Sequence, residues 1–169
     1  VQFPDDGFRH EIIGGDHYVT PSPVTRHQRI SRNLLYLIQG YLEIHPIGEV
    51  FSAPFDVLLS EWDVVVPDLV YLSQARAHFL TTKNLQGPPD LVVEILSPST
   101  RSRDEELKLA LYERVGAEEY WLIDPEQDAV DVYRGGTGGF RNPVRYSSTD
   151  ALTTPVLPGF ELSLDRVLG

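Results

Sequence analysis

The sequence predicts a single α/β domain over residues 1–169, a mixed central β-sheet flanked by two helices with an N-terminal β-hairpin extending it. Three observations carry this. The segments Asp63 to Leu72 and Asp90 to Leu96 are rich in Val and Leu on both alternating faces, the pattern of strands covered on both sides. Two other stretches repeat their apolar residues at helical spacing. A length of 169 residues suits one compact core and is short for two.

Arg9 to Thr20 reads as two short strands around Gly14-Gly15, because a Gly pair supplies the positive φ of a tight hairpin turn. Beyond Pro21-Ser22-Pro23, the residues Ile30, Leu34, Leu37, Ile38 and Tyr41 mark a helix from about Thr25 to Ile44, which Pro46 forbids from continuing. Extended segments follow at Gly48 to Leu59, Asp63 to Leu72 and Asp90 to Leu96. Ser73 to Pro89 between the last two reads as a loop with a short helix at Gln74 to Phe79. Ser102 and Glu105 stand in capping-box spacing at the head of a second helix, whose Leu107, Leu111 and Val115 form a stripe ending at Gly116. Tyr120 to Ile123 and Ala129 to Tyr133 make a hairpin around Asp124-Pro125-Glu126-Gln127-Asp128, and from Gly135 onward a peripheral hairpin and a packed tail are expected.

Composition narrows the chemistry. With no cysteine, disulfides, zinc-thiolate sites and thiol catalysis are excluded, so any metal must sit on oxygen or histidine. No apolar run approaches the ~18 residues of a membrane helix, and the first residues do not read as a signal peptide, so the expected compartment is the cytoplasm. With no methionine in the sequence, the natural start is expected upstream of Val1. A net charge of −11 and a pI near 4.7 argue against a broad basic surface for nucleic acid, though not against an acidic site that reaches phosphate through a cation. A homodimer is expected because symmetric dimers dominate oligomers and Trp62, Phe79 and Tyr133 offer apolar surface.

Two carboxylates stand out because their neighbours are apolar. Glu94 lies inside Leu91-Val92-Val93-Glu94-Ile95-Leu96 and Asp68 inside Val64-Val65-Val66-Pro67-Asp68-Leu69-Val70, and a lone buried carboxylate costs several kcal/mol unless it is paired or holds a cation. Pro67 cannot donate to a sheet ladder, so the strand should bend and expose Asp68. If the two strands are neighbours, Asp68 and Glu94 give the two hard oxygen ligands that Mg²⁺ (or Mn²⁺) accepts while keeping waters. Lys108, one of two lysines beside 12 arginines, lies in the second helix next to its buried stripe. Asp68, Glu94 and Lys108 together suit phosphodiester hydrolysis: the carboxylate-held cation polarises the phosphoryl oxygen, and the ammonium orients water or neutralises developing charge.

Pro67-Asp68 followed by Glu94 resembles the PD-(D/E)XK nuclease pattern. More specifically, Pro89-Asp90-Leu91-Val92-Val93-Glu94-Ile95-Leu96-Ser97-Pro98-Ser99-Thr100, then Arg103-Asp104, Lys108, Tyr112 and Glu119-Tyr120-Trp121-Leu122-Ile123-Asp124, resembles the Uma-two family of restriction endonucleases. The likeness runs from the Ile12-Ile13-Gly14-Gly15 hairpin, through His27 and Asn33-Leu34, to Pro158-Gly159-Phe160. It implies a restriction-endonuclease-like core, a DNA substrate, Mg²⁺ dependence and a catalytic lysine. Two positions after Glu94, where the pattern expects that lysine, stands Leu96, and the resemblance implies its migration to Lys108.

The remaining polar residues receive lesser roles. Arg101 or Arg103 is expected to contact phosphate, and His27, Asp90 and Tyr112 to support the site from behind. His27 reads more simply as a core histidine, Asp90 as a strand-start residue and Tyr112 as core packing. Glu61 and Asp63 read as solvated turn residues, Asp104, Glu105 and Glu106 as acids at the positive end of the helix dipole, and Ser97, Ser99 and Thr100 as capping hydroxyls. Besides the nuclease, the sequence admits a non-catalytic binding member of the same fold, favoured by the acidic surface, and a hydrolase of small phosphate esters.

Overall fold

A computed structural model describes residues 3–169. The hairpin β1 (Arg9–Ile13) and β2 (Asp16–Thr20) leads into α1 (Thr25–Ile44), whose last residues stop short of Pro46. The extended segments then break up: β3 (Gly48–Ser52) and β4 (Val57–Ser60) are separated at Ala53-Pro54, and β5 (Asp63–Val65) and β6 (Leu69–Ser73) at Pro67. A 3₁₀ helix (Gln74–Phe79) and β7 (Leu85–Gln86) precede β8 (Leu91–Ile95). A π-helical turn (Arg103–Lys108) runs into α2 (Leu109–Val115), followed by β9 (Glu119–Asp124), β10 (Ala129–Gly136), β11 (Gly139–Phe140) and β12 (Val144–Ser147). The tail holds β13 (Ala151–Thr153), β14 (Glu161–Ser163) and α3 (Asp165–Leu168).

The central sheet has the order β11-β10-β9-β8-β6-β3 with β12 beside β10, and it is mixed: β8 pairs parallel with β9 and antiparallel with β6. Alternation along its strands feeds two cores. Leu69, Tyr71, Leu91, Val93 and Ile95 meet Ile30, Leu34, Ile38 and Leu42 of α1 and the C-terminal tail. Val70, Leu72, Val92, Tyr120 and Leu122 meet Leu111 and Tyr112 of α2. Apolar side chains on both faces are what a sheet sandwiched between layers requires.

The N-terminal hairpin does not extend this sheet. It pairs with β5 in a separate five-stranded sheet, β2-β1-β5-β4-β7, whose Ile13, Val57 and Val65 join the α2-side core. The reason lies at Val66-Pro67-Asp68: proline interrupts the ladder, so one apolar run supplies strands to two sheets. Asp63 is buried rather than solvated. Its carboxylate accepts the Gly14 N–H at 2.8 Å and pairs with Arg114 at 2.9 Å, pinning the hairpin turn to α2, whereas Glu61 is exposed.

The second helix also departs from expectation. Ser102 is itself helical and makes no side-chain cap, because the turn begins earlier, with the Arg101 N–H on the Ser97 carbonyl at 2.9 Å. The π turn widens the helix by one residue, which leaves Leu107 exposed and presents Asp104 and Lys108 to the interior ahead of Leu111 and Tyr112. Gly116 ends it in the left-handed region, φ 82°, as a C′ residue should. Of the three apolar residues read as surface, Trp62 is exposed, while Phe79 and Tyr133 pack against the α2-side core. No helix among the described residues is long and apolar enough to cross a membrane.

Candidate functional site

Four elements converge on one cavity of about 350 Å³: β1, the bend before β6, the end of β8 and the π turn. Leu69 pairs with Val93, so the next step of that register sets Asp68 opposite Glu94, as neighbouring strands require. Both carboxylates, and Lys108, are 2% exposed. Asp68 and Glu94 therefore line the floor of the cavity, with Lys108 between Glu94 and the hairpin.

Asp68 is held on all sides. Its Oδ1 accepts from the Arg9 guanidinium at 2.9 Å, and its Oδ2 accepts the Ile95 N–H at 2.8 Å and meets His27 Nε2 at 3.1 Å. Burial pushes this carboxyl upward, but the His27 hydrogen bond and the charge of Arg9 outweigh it and bring it down to about 2. Asp68 is thus ionised and oriented.

Lys108 Nζ lies 2.8 Å from Glu94 Oε1, 2.7 Å from Glu11 Oε1 and 3.5 Å from Asp104 Oδ1. Burial works to lower the lysine, but three carboxylates outweigh it and hold the ammonium well above its usual range. Burial pushes Glu94 up to about 8 despite the adjacent lysine, with Asp104, Asp68 and Glu11 adding to the rise, and burial raises Asp104 too. The Tyr112 hydroxyl donates to Glu94 Oε1 at 3.2 Å, and burial beside Glu94 pushes that phenol well up. Around Lys108 the balance is local: three carboxylates, Glu11, Glu94 and Asp104, share one ammonium, and burial together with their mutual repulsion raises Glu94 and Asp104.

That surplus is the condition a divalent cation relieves. Glu11 Oε2 and Asp104 Oδ1 are buried without a hydrogen-bond partner, and hard carboxylate oxygens are the donors Mg²⁺ takes. Among the described residues no three metal-binding side chains converge on a point. Two carboxylates with water completing the shell suffice for Mg²⁺, and Asp68 and Glu94 are donors of that type, beside the unpartnered oxygens of Glu11 and Asp104.

The structure brings Asp68, Glu94, Lys108, His27 and Tyr112 together, but not Asp90. Asp90 accepts from the Ser73 N–H at 2.6 Å and the Ser73 hydroxyl at 2.9 Å, at the far end of β8, where it serves as a strand-start residue away from the cavity. Arg101 and Arg103 both line the cavity but are engaged within the chain. Arg101 pairs with Asp124 at 2.9 Å and Glu105 at 3.1 Å, and Arg103 stacks over Tyr18 and donates to the Thr20 hydroxyl. Asp104 belongs to the site and not to a solvated helix end, because the π turn rotates it inward.

Arg9 and Glu11 were not legible as site residues. Their signal is the alternation Arg9, Glu11, Ile13 on β1: Ile13 belongs to the core face, so Glu11 must too, and a charged residue there needs a partner.

No curated protein matches the chain. Among solved structures, it superposes with a TM-score of 0.83 on a protein from Anabaena variabilis ATCC 29413 described as a putative nuclease belonging to DUF820, at 20% identity, covering 98% of this chain and 93% of that one. At that identity the likeness speaks for the fold. A second similar structure, the type IIG restriction endonuclease BpuSI, gives a TM-score of 0.44 at 13% identity, covering 84% of this chain and 15% of that one. The sequence profile of the Uma2 family, described as "Putative restriction endonuclease", matches residues 1–165, and the chain belongs to that family.

Proposed function

We propose that this chain is a Mg²⁺-dependent endonuclease that hydrolyses DNA phosphodiester bonds. The observation that carries the reading is the arrangement on the cavity floor, where two buried carboxylates on adjacent strands stand near a buried lysine that three carboxylates share. Family membership and the nuclease description of the Anabaena protein support it.

Asp68 and Glu94 would hold the cation. Bound there, Mg²⁺ supplies Lewis-acid polarisation of the phosphoryl oxygen and acidifies a water. Arg9 and His27 fix the Asp68 carboxylate so that its orientation costs nothing at the moment of reaction. Lys108 keeps its proton, so it donates hydrogen bonds rather than accepting a proton: it positions the attacking water and offsets charge developing on the phosphate. Glu11 and Asp104 hold that ammonium in place.

The test is cleavage of plasmid and single-stranded DNA in Mg²⁺ or Mn²⁺ by the wild type and by Asp68→Ala, Glu94→Ala and Lys108→Ala, with calorimetric metal titration of each. Cleavage lost in all three variants supports the reading; metal binding without any cleavage favours a non-catalytic binding member of the fold, which the net charge of −11 suits.

A further inference from the structure

We infer that the cavity accepts one unstacked nucleotide at a time, so that the substrate is single-stranded DNA, a frayed end or a nucleotide turned out of the duplex, and not the face of an intact duplex. The inference rests on the nuclease reading and specifies its substrate.

Size argues for it first. The carboxylates and lysine are 2% exposed at the floor of a cavity of about 350 Å³, room for a group the size of one nucleotide and not for the body of a stacked duplex. Such a volume lies near the lower end of small-ligand pockets, roughly 300–1,000 Å³.

The mouth supplies the second argument. It is framed by Pro21-Ser22-Pro23-Val24, between β2 and α1, and by Ser97-Pro98-Ser99, after β8, with Pro125 opposite. Pro21, Pro23, Val24 and Pro98 are exposed apolar groups, Val24 at 70%. Apolar walls around a polar floor suit a flat base resting against the rim while its phosphate reaches inward, as in enzymes that act on extruded bases.

Charge supplies the third. Five carboxylates and five cationic side chains line the cavity, so its formal charge is zero with His27 neutral. The rim arginines are already paired, Arg26 with Asp128 and Arg101 with Asp124 and Glu105. A surface that tracks a duplex needs many free cations, because affinity rises with every phosphate neutralised. Here a cation held by Asp68 and Glu94 would supply the grip, and it would reach one phosphate.

The test compares a fluorescent single-stranded oligonucleotide, a blunt duplex of the same sequence and that duplex with one unpaired nucleotide, by anisotropy in EDTA and in Ca²⁺, then by cleavage in Mg²⁺. Binding of the single strand and the unpaired duplex about tenfold or more tighter than the blunt duplex is expected, with cuts beside the unpaired nucleotide. Val24→Asp, which places a carboxylate on the exposed rim, should erase that preference. Equal binding and cutting of the blunt duplex would overturn the inference and leave the nuclease reading standing. Neither binding nor cutting of any of the three would overturn the nuclease reading, and this inference with it.

Discussion

The Lys108 ammonium lies 2.7 Å from the Glu11 carboxylate, joining the helix that carries the lysine to the N-terminal hairpin. The same Glu11 oxygen accepts the Val66 N–H at 2.9 Å, just before the bend that delivers Asp68. One side chain thus positions two of the three proposed reactive groups.

Removing Lys108 leaves Glu11, Glu94 and Asp104 buried without their shared cation. Lys108→Ala should lose about 3–5 kcal/mol of stability in metal-free chemical denaturation, the range for breaking a buried ion pair from one side. Glu11→Gln keeps the volume and should remain folded while cleavage falls about 10²-fold through displacement of the lysine, with Glu11→Asp recovering part of it. Unchanged cleavage in Glu11→Gln would remove Glu11 from the machinery.

Glu94→Gln replaces a carboxyl that burial pushes up to about 8 with a neutral amide of the same shape. At pH 8 and without metal, the variant should be more stable than wild type, on the order of 1 kcal/mol or more, because burial penalises the carboxyl's charged form there and the amide carries no charge. It should also lose the rise in Tm that Mg²⁺ gives the wild type, as read by thermal denaturation with and without the ion.

The two carboxyls give opposite pH dependences in the metal-free protein. Asp68 is depressed from 3.8 to about 2, so its contribution is present above pH 3.8 and is lost as pH falls through about 2. Glu94 is raised from 4.5 to about 8, so its contribution is present below pH 4.5 and is lost as pH rises through about 8. Because a ligand must be deprotonated to bind, saturating Mg²⁺ should raise Tm more at pH 8 than at pH 6. A Tm shift that falls with rising pH would argue against Glu94 as a ligand.

Gly116 stands at φ 82°, where a side chain is strained although nothing crowds the site. Gly116→Ala should therefore cost about 1 kcal/mol in the denaturation midpoint and leave cleavage per folded molecule unchanged.

Local chemistry made much of the fold legible. The Gly14-Gly15 turn, the stop before Pro46 and the two-faced strands around Asp68 and Glu94 are each dictated by neighbours a few residues away, and they carried Asp68 and Glu94 as carboxylates too apolar in context to be idle. Lys108 followed from its rarity and the family resemblance.

What only tertiary structure decided depends on contacts distant in sequence. Pro67 predicts a bend, but that the bend hands one strand to a second sheet depends on the hairpin pairing with β5. A π turn has no clear local signature, so the inward rotation of Asp104 and the outward turn of Leu107 emerge only when the helix packs over β8 and β9. Glu11 looks like an ordinary hairpin residue until Lys108 is brought to it across the fold. Sequence determines which groups cannot stand alone when buried; the packed structure determines which partner each one meets.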